Sequence, residues 1–295
     1  MEKPLIIGLG EVLWDCLPSG RVPGGASLNF AWHANQLGGQ GAVITALGDD
    51  ELGREMRAFI ASGGVRTDGI QTSALPTSTV EVTLEHGQPS YVIHNHVAWD
   101  DLRWTPAVAD LVAEAAAVNF GTLGPREPTS RDATRRAIEH ARAHRTKLVF
   151  DLNLRPTRAP EDFIQWALGR ADLLKLNEEE VSLLARQRGL DGNAEEQVPE
   201  LKSHFPNVDL LAVTLGERGC ILARGDECVQ MPPEQTVEVE DAVGAGDAFL
   251  AALVLGWLRA EPLAAIARRA NRVGGYVASQ KGAMPVLPAE LTEAP

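Results

Sequence analysis

Apolar and polar positions change their period along this chain, and the changes outline its architecture. Residues 5–9 form a short all-apolar run of the kind a strand buried on both faces requires, and 42–47 form a second. Residues 28–37 and 51–62 instead place apolar side chains at helical spacing, and each stretch stops at a glycine pair, Gly38-Gly39 and Gly63-Gly64. Between 79 and 96 the period drops to two: 79–84 and 91–96 alternate around His86-Gly87-Gln88, which predicts a hairpin. From Pro106 onward strand and helix signals alternate, with predicted strands at 117–120, 147–151, 173–176 and 210–214. The helices predicted among them are 130–144, 160–169, 178–187 and 194–204. Near the end, an alternating stretch around Val237 and Val239 reads as a strand, 249–258 as a buried helix, and 288–295 as a loosely attached terminus.

Strand–helix alternation implies right-handed βαβ units and hence an α/β fold, a doubly wound, mostly parallel sheet flanked by helices. The extended segment 11–21, broken by Pro18-Ser19-Gly20, and the 79–96 hairpin do not fit such a sheet and predict a small β appendage. Composition narrows the function classes. A net charge of −13 and a pI near 5.0 argue against a nucleic-acid surface, which needs clustered Lys and Arg. No apolar run approaches the roughly 20 residues that span a bilayer, and the first residues carry no basic leader, so no membrane partner is expected. Cys16, Cys220 and Cys228 are too few and too unevenly spaced for a disulfide framework or a zinc site; the latter two flank a predicted turn at Arg224-Gly225-Asp226 as strand residues. A cytoplasmic protein is expected.

The segment 241–249, Asp-Ala-Val-Gly-Ala-Gly-Asp-Ala-Phe, carries the most chemistry. Gly244-Ala245-Gly246 entering a helix leaves backbone N–H groups uncovered at the positive end of the helix dipole, an anion site. Asp247 in the first turn is placed to take a proton from a nucleophile attacking a bound phosphoryl group. The bland alternative is a small-residue turn with an acid favouring a helix start. Three further polar clusters follow predicted strands: Asp151-Leu152-Asn153-Leu154-Arg155, Asn177-Glu178-Glu179-Glu180, and Thr214-Leu215-Gly216-Glu217-Arg218-Gly219. Each alone is ordinary cap or turn chemistry, but all four at one sheet edge mark a ligand site, since open α/β sheets bind at the carboxyl ends of their strands. No P-loop or protein-kinase motif is present, and Gly8-Leu9-Gly10-Glu11 lacks the third glycine of a dinucleotide turn.

Nearly from end to end, the chain resembles the ribokinase/fructokinase family of sugar kinases. Gly244-Ala245-Gly246-Asp247 resembles that family's C-terminal signature, which implies an anion hole with Asp247 as catalytic base. Gly24-Gly25-Ala26-Ser27-Leu28-Asn29 resembles the N-terminal sugar signature, with Asp15 at the position of the sugar-binding aspartate. Asn177 and Glu180 match an Asn-x-x-Glu motif that organises magnesium and phosphate, Glu180 acting on the metal indirectly. Thr214, Leu215, Gly216 and Gly219 resemble the nucleotide loop, and Asn271 an adenine-contacting position. Asp241 resembles a monovalent-cation site. One departure is Ala242, where the family usually has a small hydroxyl residue.

The resemblance implies a ribokinase-like fold, a single domain over 1–295, and ATP with Mg²⁺, and K⁺ at the monovalent site. The segments at about 11–22 and 78–98 would form a β lid that closes over the sugar and pairs copies into a homodimer. The fructokinase branch is the most similar, through Gly-Glu-Val-Leu-Trp-Asp at 10–15, Phe120-Gly121-Thr122-Leu123 and Val97-Ala98-Trp99-Asp100. In that branch Trp14 and Trp99 line the pocket and Asp100 or Arg126 contacts the sugar; Arg155 is a further substrate-binding candidate. The alternatives are a 2-keto-3-deoxygluconate-type kinase, with Arg155 or Arg103 on the carboxylate, a ribose or nucleoside kinase, and a sugar-binding regulator without catalysis.

Overall fold

A computed structural model describes residues 3–17, 20–85, 88–234 and 237–292. The chain opens with β1 (Leu5–Leu9), β2 (Leu13–Leu17), β3 (Gly20–Gly24), α1 (Ala26–Gln36), β4 (Gln40–Gly48), α2 (Glu51–Ser62) and β5 (Ile70–Ser73). A hairpin follows, β6 (Thr79–Glu85) and β7 (Gln88–Ile93), then α3 (Pro106–Glu114), β8 (Ala117–Phe120), α4 (Pro128–Ala143), β9 (Lys147–Asp151) and α5 (Glu161–Leu168). Next come β10 (Leu173–Asn177), α6 (Glu178–Gln187), α7 (Ala194–Ser203), β11 (Leu210–Thr214), β12 (Cys220–Arg224) and β13 (Glu227–Met231). Three helices close the chain: α8 (Ala245–Leu258), α9 (Leu263–Ala278) and the single turn α10 (Ala289–Thr292).

Nine strands form one sheet in the order β13-β12-β11-β10-β9-β8-β1-β4-β5, parallel except for the β11–β12–β13 edge. Its central strands are buried on both faces, which is why most of them are nearly continuous apolar runs. Alternate residues serve opposite layers. Leu5, Ile7 and Leu9 face the core under α3–α7, while Ile6 faces the core under α1, α8 and α9. Helix α8 is enclosed on all sides from Ala248 to Trp257, so its sequence is apolar all round rather than amphipathic. The second sheet has four strands in the order β3-β2-β6-β7, the β appendage expected from 11–22 and 78–98.

Strand order reverses at β1. The chain builds outward from β1 to β4 and β5, then returns to β8 on the other side and continues to β9, β10 and β11. That reversal opens a crevice beyond the carboxyl ends of β1 and β8, the place where doubly wound sheets bind ligands.

Three local expectations need correction. Residues 237–239 form no strand: Val237 and Val239 are 37% and 50% exposed and stand at the lip of a cleft, so their alternation reflects a surface rather than a pleat. The second hairpin strand is β7 over 88–93, not 91–96, with Thr83 opposite Ser90; the expected turn residues His86 and Gly87 lie outside the described residues. Of the expected loose terminus, 289–292 is helical and Leu291 is buried, packed into the α8/α9 core, while 293–295 lie outside the described residues.

Candidate active site

Helix α8 begins at Gly244, whose φ of 77° lies in the left-handed region. A Cβ there would fall 2.6 Å from the Ala283 carbonyl oxygen, so the tight approach of the two loops requires glycine. The first-turn N–H groups of α8 have no intrahelical acceptors and face the crevice end of the helix. The Asp247 carboxylate accepts a hydrogen bond from Asn29 Nδ2 at 2.8 Å. This contact joins the first turn of α8 to the first turn of α1, the two glycine-led helices that the sequence singled out.

Beneath that contact lies a buried charge cluster. Asp151, at the end of β9, pairs with Lys175 of β10 at 3.1 Å, and both are buried. A Cβ on Gly246 would stand 3.5 Å from Lys175 Nζ, so the ammonium lies directly against the anion loop. Burial disfavours its charge, but Asp151, Glu180 and Asp247 outweigh that and raise Lys175 above its ordinary value. Burial, reinforced by Asp151, pushes Asp247 up to about 7, suiting it to proton transfer near neutrality.

Asn177 and Glu180 form a reciprocal capping box on α6, with both N–H···O contacts at 2.9 Å. Glu180 Oε1 also accepts from Leu154 N at 2.7 Å, which ties the loop after β9 to α6. Burial and then Asp151 raise its pKa. Among the described residues no three His, Cys, Asp or Glu side chains gather as a metal site, and both Glu180 oxygens are already engaged. Glu180 thus has no free carboxylate oxygen with which to ligate a metal directly.

A cleft of about 650 Å³ adjoins Ala245 and Gly246 and runs between α9 and the loops after β11 and β13. Thr214, Gly216, Gly219 and Asn271 line it, whereas Leu215, expected with them, is buried in the core and does not. Leu215 donates its N–H to the Gly219 carbonyl at 2.8 Å and closes that loop. Asn271 Nδ2 donates to the Met231 carbonyl at 2.8 Å, which fixes the amide at the cleft rim. Asp241 accepts from Val243 N at 3.0 Å and Gly282 N at 3.2 Å, pinning the two loops that flank Gly244.

On the opposite side, Asp15 packs against Gly24, where a Cβ would meet Asp15 Oδ2 at 2.5 Å. Burial, then Asp241, raises Asp15 to about 6. Gly25, with φ 103°, is the N-cap of α1 and lies against Glu11 and Val12. Asp100 and Arg126 form a buried fork-to-fork pair with two contacts of 2.8 Å. Arg126 Nη2 also donates to the His94 carbonyl at 2.6 Å, and its guanidinium lies 3.9 Å from the Trp99 ring. Trp99 is 1% exposed, so it supports Arg126 from inside the core. Breaking such a buried pair costs about 3–5 kcal/mol. Trp14 is buried against α2, its Nε1 donating to the Leu52 carbonyl at 3.1 Å. Arg155 is exposed after β9, and Arg103 pairs with Asp101 at the surface.

The sequence reading missed Lys175 and the pairing of Asp151, although a lysine inside the apolar strand Leu-Leu-Lys-Leu-Asn was the available signal. It also missed His33, fully buried on α1, whose Nε2–H donates to the Ala283 carbonyl at 2.9 Å and props the loop against Gly244. Burial lowers His33 to about 4, so the ring is neutral.

The profile of the pfkB family carbohydrate kinases matches residues 19–290. The chain belongs to that family. It is 30% identical to Fructokinase-1 of Zea mays over 98% of this chain and 96% of that protein. Among solved structures, a fructokinase of Xylella fastidiosa with bound ATP superimposes with a TM-score of 0.83 at 25% identity, covering 96% of this chain and 95% of that one. A fructokinase double mutant of Vibrio cholerae O395, in a fructose-, ADP- and potassium-bound form, gives 0.82 at 25% identity, covering 98% and 97%. The pfkB kinase described here is an ATP-dependent sugar kinase with a ribokinase-like fold, and no helix among its described residues is long and apolar enough to cross a membrane.

Proposed function

We propose that this pfkB kinase is a fructokinase, transferring the γ-phosphoryl group of ATP to a primary hydroxyl of fructose. The observation that carries the transfer is Asp247, a carboxylate with its pKa raised to about 7, held by Asn29 at the open N-terminus of α8. ATP lies in the cleft along α9, with its phosphates toward Gly244–Gly246. The sugar lies between α1 and the small sheet, held by Asp15, Asn29 and the backbone at Gly24-Gly25. Asp247 takes the proton of the attacking hydroxyl. The N–H groups of Ala245 to Asp247 and the Lys175 ammonium oppose the charge that grows on the transferring group. Asn177 and Glu180 would hold magnesium together with the nucleotide, and the ion would supply neutralisation of phosphate charge. Asp241 would hold a monovalent cation such as potassium. The small sheet acts as a lid, excluding water and so suppressing ATP hydrolysis.

Fructose is favoured over a sugar acid because Asp15 and Asn29 offer acceptors and a donor for vicinal hydroxyls, and Arg126 is already committed to Asp100. Several of the relatives this chain is similar to are named fructokinases, which points the same way. A panel of sugars and sugar acids with Mg-ATP, read as ADP release, tests the reading. Fructose is expected to give the highest kcat/KM; a higher value for 2-keto-3-deoxygluconate or for ribose reassigns the substrate, and no turnover at all leaves a binding protein.

A further inference from the structure

We propose that Glu11 contacts the acceptor substrate, its carboxylate taking a hydroxyl of the sugar at the point where the strand order of the large sheet reverses. The inference rests on the sugar-kinase reading of the same crevice. Glu11 follows β1 by two residues, and β1 stands between β4 and β8, the two strands from which the sheet grows in opposite directions. Ligands of doubly wound sheets bind at that reversal.

The surroundings are built around this side chain. A Cβ on Gly25 would fall 2.6 Å from the Glu11 carbonyl oxygen, and one on Gly10 would fall 2.9 Å from Ser27 Oγ. One on Gly124, in the loop after β8, would fall 2.9 Å from Gly10 Cα and 3.5 Å from Glu11 Oε2. Glycine at all three positions lets the loops after β1 and β8 close on Glu11, beside the helix start that carries Asn29 to Asp247. The charged groups that face Glu11 are Arg155, Arg126, Asp151 and Asp247. Arg126 gives two nitrogens to Asp100 and none to Glu11.

Glu11 is only 5% exposed, yet among the described residues its carboxylate receives a hydrogen bond from nothing but its own N–H. Burial accordingly lifts it to about 7. A buried carboxylate short of donors costs free energy unless something supplies them, and sugar hydroxyls are donors of the right kind. Asp247, at the anion end of the crevice, is the base; Glu11 sits at the β1 end and positions the ring.

Steady-state kinetics of Glu11→Gln and Glu11→Ala test this, using whichever sugar the wild type phosphorylates best. Glu11→Ala is expected to raise the sugar KM at least tenfold and Glu11→Gln at least threefold, with the ATP KM within twofold of wild type. A set of deoxy analogues sharpens the test: one analogue should lose binding to wild type yet bind Glu11→Ala no worse than the parent sugar does. Glu11→Gln, isosteric with the native side chain, decides the matter where Glu11→Ala folds poorly. Sugar KM values within twofold of wild type in Glu11→Gln, or sugar and ATP KM values rising together, overturn the inference alone. A wild type that phosphorylates no sugar overturns the kinase reading and this inference with it.

Discussion

Along α9 the crevice is lined mainly by apolar and backbone surface, Gly219, Gly275, Val237 and Val239 among it, with the charged Glu217, Glu234, Arg272 and Glu290 exposed around it. Across the crevice, at the carboxyl ends of β1, β9 and β10, the wall holds Glu11, Asp151 and Lys175, all buried, with Asp247 facing them from α8. The contrast suits two different recognition problems. A nucleotide is a rigid, flat base on a polyanion, which shape and N–H groups can hold without side-chain charge. A small sugar offers only hydroxyls, so its orientation depends on charged and amide partners fixed at defined positions. Folding opposes the second kind of wall, because acids crowded below the surface raise one another's pKa, as Asp151 does to both Glu11 and Asp247.

The largest expected effect lies on the charged wall. Asp247→Asn should keep ATP and sugar binding while lowering kcat by about 10²–10⁴-fold, the usual worth of a positioned base. In wild type, kcat/KM should climb with pH and level off above about 7, because the base acts only when deprotonated and its pKa is raised to about 7. Stability runs the other way. The folded-state pKa lies above the ordinary 3.8, so the unfolded chain releases this proton first and wild type loses stability between pH 4 and 7. Asp247→Asn should therefore melt higher than wild type above pH 7, with the gain fading toward pH 4. Near-wild-type turnover in this variant would remove Asp247 from the mechanism.

A smaller effect is expected on the aliphatic wall. Gly275 leaves open space, its nearest neighbour to an added Cβ being Val237 Cγ2 at 4.0 Å. Gly275→Leu should fit the empty protein, fill the cleft, and raise the ATP KM by about 10–100-fold, roughly 1.4–2.8 kcal/mol, with the sugar KM unchanged. A variant whose ATP KM stays within twofold would place the nucleotide elsewhere.

The same contrast explains what could be read from sequence. The glycine-led loops were legible because each is local: Gly244-Ala245-Gly246-Asp247 and Gly24-Gly25 announce tight turns before helices wherever they occur. Bounds of α2, β8, β9, β11 and α6 were legible because burial on both faces of a sheet, or a capping box, leaves a local pattern. The charged wall was not, because Glu11, Asp151 and Lys175 come from separate strands and each reads alone as a loop acid or an oddity in a strand. Helix α9 was not read from the sequence; in the fold a Cβ on Gly274 would crowd the Ala245 carbonyl at 3.1 Å, so α9 needs glycine there to lie against α8. The pairing of Asp100 with Arg126, 26 residues apart, likewise needed coordinates.

The smallest effect decides between acceptors. A neutral hexose needs hydroxyl partners, whereas a sugar acid needs a cation aimed at its carboxylate. The charged wall holds more acids than free cations: Lys175 is paired with Asp151 and Arg126 with Asp100. Arg155 remains as the candidate carboxylate partner, exposed within the loop after β9 and attractive to Glu11. Wild type is expected to use fructose with at least tenfold higher kcat/KM than 2-keto-3-deoxygluconate, about 1.4 kcal/mol in transition-state binding. Arg155→Ala should then lower both values by factors within threefold of each other, because Arg155 offsets the acidity of the whole wall rather than binding one carboxylate. A variant that loses only the sugar acid would make Arg155 a carboxylate ligand, and the acidic wall would then be reading charge on the substrate as well as its hydroxyls.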